Sequence, residues 1–235
     1  MNPADISANL ARARGRIAAV CLATGRDPAS VRLLVASKTM PAERVADAAR
    51  AGQLLMGENR AQELRDKHIA VQALLGPSPT VEWHFIGHLQ KNKVRMVVGR
   101  VAMIHTVDSL DLAREIDRRV PAAHLGPMPI LVEVSLAGEA AKASVAPDRC
   151  LDLCAAISDL PNVSLRGLMT VPPWSEDPQE ATPWFRQLAG LAAEGRAEGL
   201  PLHELSMGMT GDYEVAVREG ATIVRLGTAI FGPRR

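Results

Sequence analysis

Aromatic side chains are nearly missing from this chain: three Phe, three Trp and one Tyr among 235 residues, or 3%. A surface that stacks single-stranded bases needs more than that, so such binding is excluded. Charge of one sign is missing too. With 27 basic and 26 acidic residues the net charge is +1 at pH 7, and no block of like charge stands out. Neither nucleic acid nor an anionic membrane is then the main partner. No apolar run approaches the roughly 18 residues that a membrane span needs. The opening Met1-Asn2-Pro3-Ala4-Asp5 has no basic stretch followed by an apolar one, so no signal peptide is expected and the cytoplasm is the expected compartment. Cysteine is sparse and odd in number (Cys21, Cys150, Cys154), which suits a reducing cytosol better than a disulfide framework. Cys150 and Cys154 are spaced to share a helix face, but two more ligands for zinc are lacking, so no metal site is expected.

Lysine is scarce as well. Lys38, Lys67, Lys91, Lys93 and Lys142 are the only five, and arginine supplies the other positive charges. Lys38 closes the apolar run Val31-Arg32-Leu33-Leu34-Val35-Ala36-Ser37. A buried lysine can lose its proton, which arginine cannot. A lysine that snorkels from a strand end to solvent is the plainer alternative.

What is present is a hydrophobic fraction of 47%, enough for a sizeable core. No linker rich in Ser, Gly or Pro divides the chain, so one domain over 1–235 is expected. The residues 7–24 fit an opening helix. Strand-like runs follow at 31–37, 53–57, 82–87, 101–107, 130–135, 164–170, 203–208 and 222–227. Several are nearly continuous in apolar residues, as strands buried on both faces should be. Helical patterns lie between them at 42–51, 61–75, 89–99, 110–120, 147–160, 179–198 and 212–220. This alternation predicts an α/β fold, a single (β/α)8 TIM barrel with an additional N-terminal helix. A doubly wound open sheet is the competitor.

Barrel chemistry sits at the C-terminal ends of the strands. Those ends carry Lys38; Glu58 and Asn59; His84 to Gly87; Asp108; Met169 and Thr170; Ser206; and Arg225, Gly227 and Thr228. Glycines and hydroxyls after strands 7 and 8 suit a phosphate, because backbone N–H groups can approach its oxygens there. An amine facing a phosphate cradle fits either pyridoxal phosphate held as a Schiff base or an aldolase acting on a sugar phosphate.

The motifs decide between these only as a set. Leu34-Val35-Ala36-Ser37-Lys38-Thr39, Gly57-Glu58-Asn59-Arg60-Ala61-Gln62-Glu63 and His84-Phe85-Ile86-Gly87-His88-Leu89-Gln90-Lys91-Asn92-Lys93 come first. Leu165-Arg166-Gly167-Leu168-Met169, Leu205-Ser206-Met207-Gly208-Met209 and Val224-Arg225-Leu226-Gly227-Thr228-Ala229-Ile230-Phe231-Gly232 follow. In this order they resemble the pyridoxal phosphate homeostasis protein family, also called the proline synthase co-transcribed homologue family, whose barrel is similar to the alanine racemase N-terminal domain.

The resemblance implies pyridoxal 5'-phosphate as cofactor, with Lys38 forming the Schiff base. It implies that Asn59 and Met169 line the ring, that Arg225 faces the pyridine nitrogen, and that Ser206, Gly227 and Thr228 hold the phosphate. His84 and Lys91-Asn92-Lys93 match motif positions without an assigned role. Three departures stand out: Glu139-Ala140-Ala141-Lys142 is followed by Ala143-Ser144 where the family often has a glycine, Thr210 stands where serine is common, and Arg60 where tyrosine is frequent.

The implied function is cofactor homeostasis: holding, buffering or delivering a reactive aldehyde, with effects on amino-acid and keto-acid metabolism. No catalytic residue is assigned. Partners would be pyridoxal phosphate and apo enzymes that use it, and the chain would act as a monomer. An amino-acid racemase is the enzyme alternative, and turnover by the pure protein separates the two. Alanine racemase draws a second base, a tyrosine, from an additional C-terminal domain that this sequence is not expected to have. The sole tyrosine here, Tyr213, falls in the first turn of the helix after strand 7.

Overall fold

A computed structural model describes residues 3–123, 126–136 and 144–232. Eight parallel strands close in sequence order into one barrel. They are β1 (Arg32–Ala36), β2 (Leu55–Glu58), β3 (Glu82–Phe85), β4 (Met103–Val107), β5 (Met128–Glu133), β6 (Val163–Met169), β7 (Glu204–Ser206) and β8 (Ile223–Leu226). All residues of β4 and β8 are buried, as expected where helices cover the outside and side chains fill the inside. Closure rests on β8 pairing with β1 in the register Leu33↔Val224, Leu34↔Arg225 and Val35↔Leu226. The open doubly wound alternative is thereby excluded.

The helices are α1 (Pro3–Ala23), α2 (Ala42–Arg50), α3 (Ala61–Leu75), α4 (Val94–Val97), α5 (Leu110–Arg119), α6 (Cys150–Ser158), α7 (Thr182–Ala197), α8 (Tyr213–Arg218) and α9 (Thr228–Phe231). The extra helix α1 buries Ile6, Leu10, Ala13, Ile17, Val20 and Cys21. That spacing lays one apolar stripe along the helix, and the stripe packs on α2, α8 and α9. Asn9 Nδ2 donates to the Ile230 carbonyl at 3.0 Å, tying the first helix to the last.

Two apolar cores result. The larger lies between sheet and helices. The smaller lies inside the barrel and consists of Leu34, Met103, Leu131, Met169 and Ile223, with Leu55 and Ile86 against it. It is small because the same interior also holds polar side chains: His84, His105, Ser206 and Arg225 are all buried.

Most elements fall within two or three residues of their sequence-based limits. The stretch 89–99 is the exception. It forms a 3-10 turn at Lys91–Lys93 and only one turn of α-helix at Val94–Val97. Gln90 to Lys93 offers no apolar side chain to bury, so packing supports a helix only from Val94 onward. The variant loop at 139–143 lies outside the described residues. Cys21, Cys150 and Cys154 are buried free thiols.

Strands β6 and β7 approach unusually closely at Gly167. A Cβ there would lie 1.9 Å from the Glu204 carbonyl oxygen, on backbone that cannot swing aside. Gly167→Ala should therefore spread this pair and lower stability by about 1–3 kcal/mol, the range for overpacking. Urea unfolding would show this as a lower midpoint, and an unchanged midpoint would contradict the approach.

Candidate functional site

Lys38 lies in the turn just after β1 and is half-buried. Its neighbours are clasped from three directions. Lys67 Nζ donates to the Ser37 carbonyl at 2.8 Å, to Glu58 Oε1 at 2.5 Å and to Glu63 Oε1 at 2.8 Å. Glu58 Oε1 also accepts from Ser37 Oγ at 2.6 Å, and Glu63 Oε1 accepts from the Thr39 N–H at 2.7 Å. Thr39 has φ of 65°, a left-handed conformation that a β-branched residue rarely adopts. Residues on both sides of Lys38 are thus fixed by a buried ion-pair network that the turn itself would not need. Burial pushes the Glu58 carboxyl up, opposed by Lys67 and Ser37.

Arg225 projects from β8 into the barrel. Its Nη1 donates to Ser206 Oγ at 2.7 Å and its Nη2 to the Thr170 carbonyl at 2.9 Å. Ser206 Oγ lies 2.9 Å from His105 Nδ1. His105 Nε2 lies 2.8 Å from His84 Nδ1, and His84 Nε2 lies 2.9 Å from Glu82 Oε1. The result is one unbroken column of polar groups along the barrel interior. Burial pulls the guanidinium down to about 10, against Glu133 and Asp212, which favour the charged form. It remains a cation near neutral pH.

The turn after β8 carries Gly227 and Thr228, where α9 begins. Thr228 Oγ1 donates to Thr210 Oγ1 at 3.2 Å, and the Ala229 N–H points at the same Thr210 oxygen at 3.4 Å. Both threonines are exposed. They form a small group of donors open to a ligand at the mouth.

Asn59 follows β2, and its Oδ1 is buried without a hydrogen-bond partner among the described residues. Met169 ends β6 and is 1% exposed, within the inner apolar cluster. Glu133 ends β5. Its carboxyl is pushed up to about 7 by burial, opposed by Arg225 and reinforced by Asp108.

The structure therefore brings Lys38, Asn59, Met169, Arg225, Gly227 and Thr228 to the C-terminal strand ends and the turns that follow them. Ser206 is placed differently from its expected neighbours. It is 0% exposed, and its hydroxyl is engaged by Arg225 and His105 rather than by the Gly227–Thr228 turn. Thr210 makes that contact. Sequence reasoning missed Glu133, His105 and Lys67. Only Thr210 had a signal, as a hydroxyl one residue beyond the Met207-Gly208-Met209 motif. Lys91 is an exposed partner of Asp111 at 2.8 Å, a solvated pair of little energetic weight. Tyr213 begins α8, is mostly buried, and faces Arg16 of α1 on the outside of the barrel.

An amine after β1, a cation on β8 and an exposed hydroxyl cradle beyond it define a barrel of the alanine racemase type. The family model described as alanine racemase, N-terminal domain, matches residues 8–235. A pyridoxal phosphate homeostasis protein of Aquifex aeolicus is 42% identical over 227 residues, covering 96% of this chain and 97% of that one. The chain belongs to the pyridoxal phosphate homeostasis protein family. PipY of Synechococcus elongatus PCC7942, solved with PLP bound, superposes with a TM-score of 0.81 at 37% identity, covering 97% of this chain and 100% of that one. The alanine racemase of Corynebacterium glutamicum, 16% identical, shares the fold with a TM-score of 0.71, covering 100% of this chain and 62% of the racemase.

Glu133 provides a pH test that needs no ligand. Its folded pKa of about 7 lies above the unfolded value, roughly 4.3 for a free glutamate. The stability linked to Glu133 is complete below the unfolded value and is lost as pH rises through about 7. Glu133→Gln stays neutral, so the variant should gain on the wild type by on the order of 2 kcal/mol between about pH 5 and pH 9. Denaturant unfolding of both proteins across that range checks this, and parallel pH profiles would refute it.

Proposed function

We propose that this protein holds pyridoxal 5'-phosphate as a Schiff base on Lys38 and acts as a carrier that buffers the cofactor and delivers it to apo enzymes. The convergence of Lys38, Arg225 and the Gly227–Thr228 turn at one end of the barrel carries this reading. The donor set fits the group: an amine for its aldehyde, a cation for its ring nitrogen, hydroxyls and backbone N–H groups for its phosphate. The buried Asn59 Oδ1 that lacks a partner fits a polar substituent on the ring. PipY, solved with PLP bound, supports the same ligand.

Bound there, the cofactor supplies a reactive carbonyl and an electron-withdrawing ring. The residues limit its use. Arg225 is a cation held by Ser206 and the Thr170 carbonyl, and it would offer the ring nitrogen a donor and disfavour its protonation. The ring is then a poor sink for carbanion electrons. Tyr213, the single tyrosine, faces Arg16 outside the barrel, so it supplies no second base opposite Lys38. Both features favour a carrier over a racemase. Relatives are named as homeostasis proteins, which agrees. No helix among the described residues is long and apolar enough to cross a membrane. We place the carrier in the cytoplasm as a monomer.

In this reading Thr210 and Thr228 hold the phosphate together with the backbone at Gly227 and Ala229, and Ser206 serves Arg225. Borohydride reduction and peptide mapping should place the cofactor on Lys38, and an adduct mainly on Lys67 or Lys142 would sink the assignment. Thr228→Ala and Thr210→Ala should each weaken pyridoxal phosphate binding by about tenfold or more while sparing pyridoxal, since each removes a charge-assisted hydrogen bond. Equal losses for both ligands would count against the phosphate cradle.

A further inference from the structure

The polar column that ends at Arg225 has a fixed direction. Arg225 has only N–H groups to offer, so Ser206 Oγ must accept from it. Among the described residues the single Ser206 proton then has one acceptor within reach, His105 Nδ1 at 2.9 Å. A neutral His105 carries its proton on Nε2 and gives it to His84 Nδ1 at 2.8 Å. His84 in turn carries its proton on Nε2 and gives it to Glu82 Oε1 at 2.9 Å. Each link has one proton, and every donor points from Arg225 toward Glu82.

The opposite order fails at both ends. It leaves the Ser206 proton without an acceptor in a buried site, which costs the full desolvation of that group. It also sets a bare His84 Nε2 lone pair against the Glu82 carboxylate. Protonating either histidine would put a second cation into a barrel that already buries Arg225. Desolvation lowers both rings, His105 well below the usual imidazole range. The surroundings do not reverse this. His84 faces Glu82, Arg32, Glu204 and His105; His105 faces His84, Arg225 and Arg32. Arg225 itself faces Glu133 and Asp212.

We propose that His105 and His84, through Ser206, are positioning residues for Arg225, forming a one-way hydrogen-bond chain that orients its guanidinium toward the ring nitrogen and connects it to Glu82 at the opposite end of the barrel. The role of the guanidinium toward the ring rests on the cofactor reading above. The chain itself exists without the cofactor. Glu82 is its exit to water: its side chain is 50% exposed, whereas that of His84 is 1% exposed. The two histidines hold no ligand in this scheme. They give the Ser206 proton an acceptor, which leaves the Ser206 oxygen turned to the guanidinium.

Two measurements test this. In cofactor-free protein labelled with ¹⁵N-histidine at neutral pH, both rings should be neutral Nε2–H tautomers. Loss of the matching signals in His84→Gln and His105→Gln assigns them. Either ring found as the Nδ1–H tautomer, or as a cation, overturns the proposal whether or not any variant folds.

The second measurement is the visible spectrum and its pH midpoint in protein loaded with pyridoxal phosphate. Ser206→Ala and His105→Leu should shift both in the same sense, and the double variant should shift them no further, because the residues act in one chain. His105→Gln keeps an acceptor and a donor in series and should restore the wild-type band. If Arg225→Glu moves the band and a folded His105→Leu does not, the inference fails and the cofactor reading stands. If Arg225→Glu is silent too, Arg225 does not meet the ring and the inference fails with that role, while the Lys38 adduct decides the cofactor reading separately.

Discussion

A guanidinium buried inside a barrel must be satisfied on every side, and much of the polar interior of this protein follows from that demand. Arg225 is 5% exposed. An isolated charge in such a setting would cost far more than the net stability of a domain. Ser206 and the Thr170 carbonyl take two of its N–H groups. Glu133 and Asp212 supply opposite charge nearby. The inner apolar cluster is correspondingly small. The barrel gives up hydrophobic filling to place one cation at its mouth.

The amine across from it is held by a different device. Lys67, Glu58 and Glu63 form a buried or half-buried network whose partners are backbone groups and a hydroxyl flanking Lys38. Buried ion pairs are poor sources of net stability. Here the network holds Thr39 in a conformation the backbone would not choose, and so sets the direction in which Lys38 leaves the strand. Rigid support of this kind keeps a reactive group where its partner can find it. The two charged networks divide the work: one fixes the amine, the other fixes the cation.

Elements whose signals are local could be read from the sequence. Apolar runs such as 31–37 and 222–227 announce strands buried on both faces, and Lys38 and Arg225 stand at or near their ends. The column beneath Arg225 gave no such signal, because its members come from β3, β4, β7 and β8, with His105 and Ser206 lying 101 positions apart. His84 in isolation reads as a core histidine, and it is one. Lys67 with Glu63 has the spacing of an ordinary surface helix pair, but the lysine is only 7% exposed. Glu133 closes an apolar strand and looks like its first polar exit. Its character comes from Arg225 and Asp108, both remote in sequence. Ser206 shows the limit most clearly: a hydroxyl beside a glycine motif suits a phosphate equally well whether it points into the mouth or down the axis.

Because β8 is the strand that closes the ring against β1, Lys38 and Arg225 come to the same seam only once the chain has been made through β8. Contacts of such long sequence separation form late, since the entropy of closing the loop comes before any gain. At roughly 5–20 residues per second, a ribosome would expose Lys38 on the order of ten seconds or more before Arg225. During that interval the amine belongs to an open, partly folded sheet with no cation opposite. Under the proposed function, capture of an aldehyde at the mouth would therefore be a property of the finished ring, and a nascent chain would be a bystander to it.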